Sequence, residues 1–226
     1  MALSGFGLVL ALVVAEIALR LFLPQDLLQS PDVQLDPELI YTLKPNMETR
    51  AGGTSVPMTH FKTNSVGIRE REIPFHKPDG VFRILLLGDS MGMGYGVELE
   101  ETYLKQLGLL LEADHIKRLE TINAAIRGYG NDQELLLFRR IGKRYEPDLV
   151  ILGFFLYNDM EDNWEAGLFK LENGALIQQP VTVETSKKYK DYVSALRVRS
   201  LPGYPLIMSR SHLANWIRLT HAKVAR

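Results

Sequence analysis

The chain has 226 residues, 46% hydrophobic and 23% charged, with 26 Lys and Arg against 27 Asp and Glu. That balance excludes a disordered chain and a polyelectrolyte binder of DNA or RNA, and the length suits one domain with an appendage or two small domains. No cysteine is present, which removes disulfides, cysteine zinc sites, iron–sulfur clusters and cysteine nucleophiles together.

Met1 to Ala15 carries no charged side chain; the apolar run resumes after Glu16 and again after Arg20, and Pro24 ends it. A helix of about 23 residues is about 34 Å long, enough to cross the hydrocarbon core of a bilayer. Residues 1–23 are therefore expected to form one N-terminal transmembrane helix that anchors the chain. Glu16 and Arg20 stand at i and i+4, so they can pair on one face and reach the headgroups. A cleaved signal peptide fits less well: Val13-Val14-Ala15 would pass as a cleavage site, but no basic residue precedes the apolar run. A buried N-terminal helix of a soluble domain is the third reading. Neither flank carries a Lys/Arg excess strong enough to set orientation.

Residues 24–80 are expected to be a proline-rich spacer and domain lead-in. Gln25 to Asp79 holds Pro31, Pro37, Pro45, Pro57, Pro74, Pro78 and the Gly52-Gly53 pair, and sustains neither a helical nor a strand period. Thr63 to Arg71 reads as a turn region.

Residues 81–226 carry the regular pattern. Phe82 to Leu87 is a short apolar run ending in Gly88-Asp89-Ser90, the mark of a buried parallel strand. Thr102 to Ala113 has a helical stripe at 103, 104, 107, 110 and 111. Leu119 to Ala125 reads as a second strand. Asn131 to Tyr145 reads as a helix capped by Asn131 or Asp132. Asp148 to Leu156 reads as a third buried strand. Strand–helix–strand–helix–strand at this spacing predicts an α/β domain with a parallel sheet and helices on both faces. Leu168 to Val183 predicts a hairpin turning at Asn173-Gly174. From Lys187 onward there are nine Lys and Arg against one acid, Asp191; this reads as a solvated basic face, or as one that touches anionic lipid or polymer. Ser211 to Lys223 reads as an amphipathic helix with Trp216 in the core.

In an open parallel sheet, ligands bind beyond the carboxyl ends of the strands. The three strands deliver Gly88-Asp89-Ser90, then Asn123 to Gly130 with its glycine-rich end, then Tyr157-Asn158-Asp159. A hydroxyl, a backbone N–H donor and a side-chain amide on one edge are the parts an acyl-transfer site needs, because charge builds on a carbonyl oxygen and must meet fixed donors.

The stretch Ile84 to Ser90, the loop Asn123 to Gly130 and the run Gly153 to Asp159 resemble, in order and spacing, the first three motif blocks of the SGNH/GDSL hydrolases. The lead-in Asn64 to Arg69 and the N-terminal anchor resemble membrane-linked bacterial members. The resemblance implies a three-layer α/β/α flavodoxin-like SGNH hydrolase fold. It implies Ser90 as nucleophile and first oxyanion donor through its N–H, Gly128 as second donor through its N–H, and Asn158 as third through its amide. Asp89 and Asp159 would hold loops. The implied activity is that of an esterase-type hydrolase or acyltransferase acting on O-acetylated carbohydrates or lipid esters, with no cofactor and no metal. The domain would lie on the extracytoplasmic side of a bacterial membrane.

The last block of that family, Asp-x-x-His, has no counterpart. Three residues before His60, His76, His115, His212 and His221 stand Pro57, Ile73, Glu112, Ser209 and Arg218. Glu112 with His115 is nearest but falls in the first crossover. A serine without a base is a poor nucleophile, so the chain is expected to be a truncated form of a longer hydrolase with an incomplete domain, or a non-catalytic relative. A membrane-anchored module that binds cell-envelope polysaccharide is the reading from a different class. Gly88-Asp89-Ser90-Met91-Gly92 also fits the Gly-x-Ser-x-Gly elbow of α/β-hydrolases, but the strands that should precede an elbow are missing from the pattern. Gly88, Gly92, Gly94 and Gly96 match neither phosphate-loop fingerprint, and no histidine–carboxylate cluster suggests a metal.

Overall fold

The computed structural model describes residues 2–25, 33–53, 56–113 and 118–224. The first helix, α1, is Ala2–Phe22. Its stretch Ser4–Phe22 is long and apolar enough to cross a membrane, and none of its residues is fully buried. Glu16 and Arg20 do pair, at 2.7 Å.

Two short antiparallel hairpins follow where no period is visible in the sequence. β1 (Val33–Asp36) pairs with β2 (Ile40–Leu43), and β3 (Glu48–Ala51) with β4 (Thr59–Lys62). This corrects the expected irregular lead-in. Strands of four residues are too short to show a period of two, yet Leu39, Ile40, Leu43, Ala51, Phe61 and Ile68 are all buried in the same core as the sheet. Two buried cations hold this part to it. The Arg69 guanidinium donates to the carbonyls of Met93, Gly94, Val97 and His60 at 2.6–3.1 Å and lies over the Phe61 ring. Arg83 is fully buried and donates to Glu120 and to the carbonyls of Phe75 and Tyr145.

The sheet is β5 (Phe82–Gly88) flanked by β6 (Leu119–Asn123) and, on its other side, by β7 (Leu149–Gly153), all parallel. Between β5 and β6 come α2 (Ser90–Met93) and α3 (Tyr103–Ala113), and between β6 and β7 comes α4 (Asn131–Arg140). The chain then runs through α5 (Asp159–Ala166), the hairpin β8 (Phe169–Glu172) and β9 (Ala175–Gln178), and three helices, α6 (Lys187–Arg199), α7 (Tyr204–Arg210) and α8 (His212–Val224). Alternation sorts the faces. Ile84 pairs with Thr121 on one face, where Gly108 lets α3 close on Thr121; Leu85 pairs with Ile122 on the other, where Gly142 lets the turn after α4 close on Leu85. An α/β domain with a parallel sheet and helices on both faces is therefore present. The β8–β9 hairpin turns at Asn173-Gly174, both at positive φ, as two-residue hairpin turns require.

Five local expectations change. In α3 the buried residues are Leu104 and Gly108, while Tyr103 and Leu110 are exposed. The helix from Asn131 breaks at Ile141, and Gly142–Tyr145 is a 3-10 turn. Neither Asn131 nor Asp132 caps it; the Asn163 side chain of α5 accepts the Asp132 N–H at 3.1 Å instead. β7 is not buried: it is the edge of a three-stranded sheet, and Leu149, Val150 and Leu152 are exposed, as are Phe154 to Tyr157 beyond it. Finally, α8 forms as expected, but Trp216 is 40% exposed rather than core.

Candidate active site

The three residues singled out from the sequence stand at the carboxyl ends of three adjacent strands. The β5–β6 pairing continues past the strands through Ala124 N–H to Leu86 O and Ile126 N–H to Gly88 O, both 2.9 Å. That brings the loop carrying Gly128 beside Ser90. β7 pairs with β5 up to Gly153 opposite Gly88, and the chain reaches Asn158 at the start of α5.

Ser90 opens α2 directly after β5. Asp89 caps that turn, its Oδ1 accepting the Met91 N–H at 2.8 Å. Gly92 allows the tight approach: a Cβ there would lie 2.9 Å from the Ala125 Cβ. Asp89 Oδ2 faces two groups at long range, the Ser90 hydroxyl at 3.5 Å and the Asn158 amide at 3.4 Å. Gly128 has φ +72°, and a Cβ there would meet the Tyr41 hydroxyl at 2.8 Å, so both backbone and space ask for glycine.

Asn158 is held more firmly on its other side. Its Nδ2 donates to Asp162 Oδ2 at 2.6 Å, and Asp162 Oδ1 accepts from the Lys188 ammonium at 2.8 Å. Lys188 also donates to the Gly128 carbonyl and to Gln133 Oε1. Ser90, Asp89, Asn158, Asp162, Lys188 and Gly128 thus form one hydrogen-bonded chain across all three strand ends. One hydrogen of the Asn158 amide is committed to Asp162. The other makes only the long contact to Asp89, so an oxygen arriving beside Ser90 could take it at little cost.

Lys188 is the member that sequence reasoning missed. The sequence places it in a run of basic residues that reads as a solvated face, yet its side chain is only 12% exposed. A single lysine in a run of basic residues gives no signal of burial. Its neighbour Lys187 does stay on the surface, paired with Glu165 and Asp191.

Behind the site lies a group of buried acids. Asp159 accepts the Phe155 N–H at 2.7 Å and so holds the loop after β7. Glu134 is 1% exposed; burial, with the charges of Asp159, Asp89 and Asp132 adding to it, raises its carboxyl to about 7 against the opposing hydrogen bond from Asn131. Burial likewise raises Asp132 to about 6. One oxygen each of Glu134 and Asp159, and the Asn158 carbonyl, are buried with no partner among the described residues.

No protein-family model matches the chain, and no curated protein matches it.

Three of the histidines sit elsewhere. His60 pairs with Glu48 on the β3–β4 hairpin, His76 with Glu146, and the His212 ring accepts the Gln25 N–H. Residue 115 and the side chain of residue 221 lie outside the described residues. Among the described residues, Asp89 is the one side chain hydrogen-bonded to the Ser90 hydroxyl.

Proposed function

We propose that the chain is a membrane-anchored serine hydrolase or acyltransferase of the SGNH/GDSL type, with a flavodoxin-like α/β/α domain, acting on ester bonds such as O-acetyl groups of carbohydrates or lipid esters. The observation that carries this is the convergence of Ser90, Gly128 and Asn158, on three successive parallel strands, into one hydrogen-bonded network at the carboxyl edge of the sheet. On this reading the Ser90 Oγ attacks the ester carbonyl carbon, and the backbone N–H groups of Ser90 and Gly128 and the second amide hydrogen of Asn158 meet the oxyanion. The C–O bond to the alcohol breaks and the departing oxygen takes up the proton that the Ser90 hydroxyl lost; water or a second alcohol then attacks the acyl-serine, and its proton returns to the Ser90 oxygen as the acid or new ester is released. Asp162 and Lys188 hold the Asn158 amide in place. The apolar α1 supports attachment to a membrane, and the extracytoplasmic side is the location that goes with the substrate class.

The second reading is a non-catalytic module that binds cell-envelope polysaccharide. What favours it is the surroundings of Ser90, whose hydroxyl is touched by Asp89 and by no imidazole among the described residues.

One experiment separates them. The full chain in detergent is treated with a fluorophosphonate, and any adduct is located by mass spectrometry. A heat-sensitive adduct on Ser90 supports the hydrolase. A folded chain that does not label overturns it, and salt-dependent binding of anionic glycans without turnover would then support the module.

A further inference from the structure

A carboxylate inside an apolar helix needs a reason, because an ion at that depth is expensive unless it is paired. The partner of Glu16 is α8. Glu16 accepts the backbone N–H groups of His212 and Leu213 at 2.9 and 2.8 Å, the Ser211 hydroxyl at 2.8 Å and Arg20 Nε at 2.7 Å. It thereby caps the N-terminus of α8, where free N–H groups and the helix dipole favour an anion. Arg20 extends the contact to the Arg210 carbonyl at 2.6 Å.

The level of this contact matters more than its strength. Glu16 lies within the apolar stretch Ser4–Phe22, about 9 Å from its Phe22 end at 1.5 Å per residue. An open groove of about 350 Å³ runs from Glu16 and Ser211 towards the N-terminus of α1, with Val9, Leu12, Val13 and Ile17 of α1 and Leu213 of α8 as its apolar lining. The first turn of α8 therefore stands at the depth of those residues and not beyond the end of α1. Trp216 and Ile217 follow Leu213 at helical spacing on the same face, and they are 40% and 54% exposed. On the opposite side Asn215 is 3% exposed and bonded to the carbonyls of Met208 and Ser211.

We propose that α8 is a second membrane-embedded element. Its apolar face, Leu213, Trp216 and Ile217, lies against phospholipid acyl chains in the leaflet nearest Pro24, and the groove beside α1 holds one such chain. This rests on the reading of α1 as a membrane span, and continuity of the two apolar surfaces is what names lipid as the occupant. It also fits the character of α8, an amphipathic helix with basic residues, the type that lies in a bilayer interface.

The test uses the full chain in phosphatidylcholine vesicles, with Trp164→Phe leaving Trp216 as the only tryptophan and Trp216→Phe leaving Trp164, which is 85% exposed on α5. Expected is a blue-shifted Trp216 emission that loses most of its intensity in vesicles of mid-chain brominated lipid, while Trp164 is quenched by aqueous iodide. Alkaline carbonate washing is run in parallel. Extraction of the chain into the wash would remove the anchor reading and this proposal with it. A retained chain whose Trp216 is quenched by iodide and not by bromolipid overturns the proposal alone. Shielding of Trp216 from both quenchers would assign the face to a protein partner, and would equally overturn it.

Discussion

Lys188 and Asn158 are joined through one carboxylate: Asp162 takes the Asn158 amide at 2.6 Å and the Lys188 ammonium at 2.8 Å. A helix remote in sequence therefore sets the orientation of a side chain at the sheet edge. Lys188→Met removes the counter-ion and leaves Asp162 and the Gly128 carbonyl short of a donor. The expected cost is about 1–3 kcal/mol, read as a lower midpoint in thermal or urea unfolding; an unchanged midpoint would mean that the lysine is idle.

On the hydrolase reading, Asn158→Ala should lower kcat by about 10²–10³ with little change in KM, the usual loss for one oxyanion donor. An effect confined to KM would assign Asn158 to substrate binding instead. Steady-state kinetics on a short-chain aryl ester is the measurement.

Ser90→Ala should abolish both turnover and fluorophosphonate labelling while leaving the unfolding midpoint within about 0.5 kcal/mol, since the side chain makes only one long contact. Turnover that survives would point to another nucleophile.

Arg69 is 1% exposed and serves three backbone carbonyls in the segment that follows Ser90 and a fourth, that of His60, on β4. Arg69→Met should destabilise the fold by about 3 kcal/mol or more, because buried acceptors lose a charged donor together. Arg69→Lys should recover only part of this, for an ammonium cannot span the same fork. Equal stability of the two variants would show that shape, not the fork, matters.

Glu134 gives a pH dependence whose sign is fixed. Its carboxyl holds a proton to about pH 7 in the folded protein, against an ordinary value of 4.5. Below that ordinary value both folded and unfolded states are protonated and the group contributes nothing. As pH rises from 4.5 to about 7 the unfolded chain releases the proton first, so stability falls, by about 3 kcal/mol in all. Asp132, raised from 3.8 to about 6, acts in the same direction. Glu134→Gln should therefore match the wild type in acid and exceed it above neutrality; differential scanning calorimetry across that range would show parallel curves if the idea is wrong.

The parts of the fold that were legible in the sequence are those with a strong local signal. The apolar run into Gly88-Asp89-Ser90 marked β5, the two-residue Asn173-Gly174 turn marked the β8–β9 hairpin, and the apolar N-terminus marked α1. Strands of four residues in a proline-rich stretch carried no such signal, and β1 to β4 went unseen although their side chains share the core of the sheet. Ser90, Gly128 and Asn158 could be placed on one edge because each lies in the segment that leaves the carboxyl end of a strand. Lys188 could not, since a solvated and a buried lysine read alike until α6 is docked. β7 misled in the opposite sense: an unbroken apolar run reads as a central strand, and nothing in it says that its outer neighbour is absent among the described residues.

That open strand governs how the protein must be handled. From Leu149 to Tyr157 the chain offers nine residues without a charge or a proline; its strand part, Leu149–Gly153, has one side unpaired among the described residues, and Leu152, Phe154 and Leu156 are exposed. Sheet edges of this kind normally carry a lysine, a bulge or a cover, and without one they template pairing between chains. Trimming α1 will therefore not by itself yield a well-behaved soluble protein. The membrane segment and β7 are separate sources of stickiness, and a gatekeeper such as Val150→Lys, placed on the exposed edge, is the change that addresses the second.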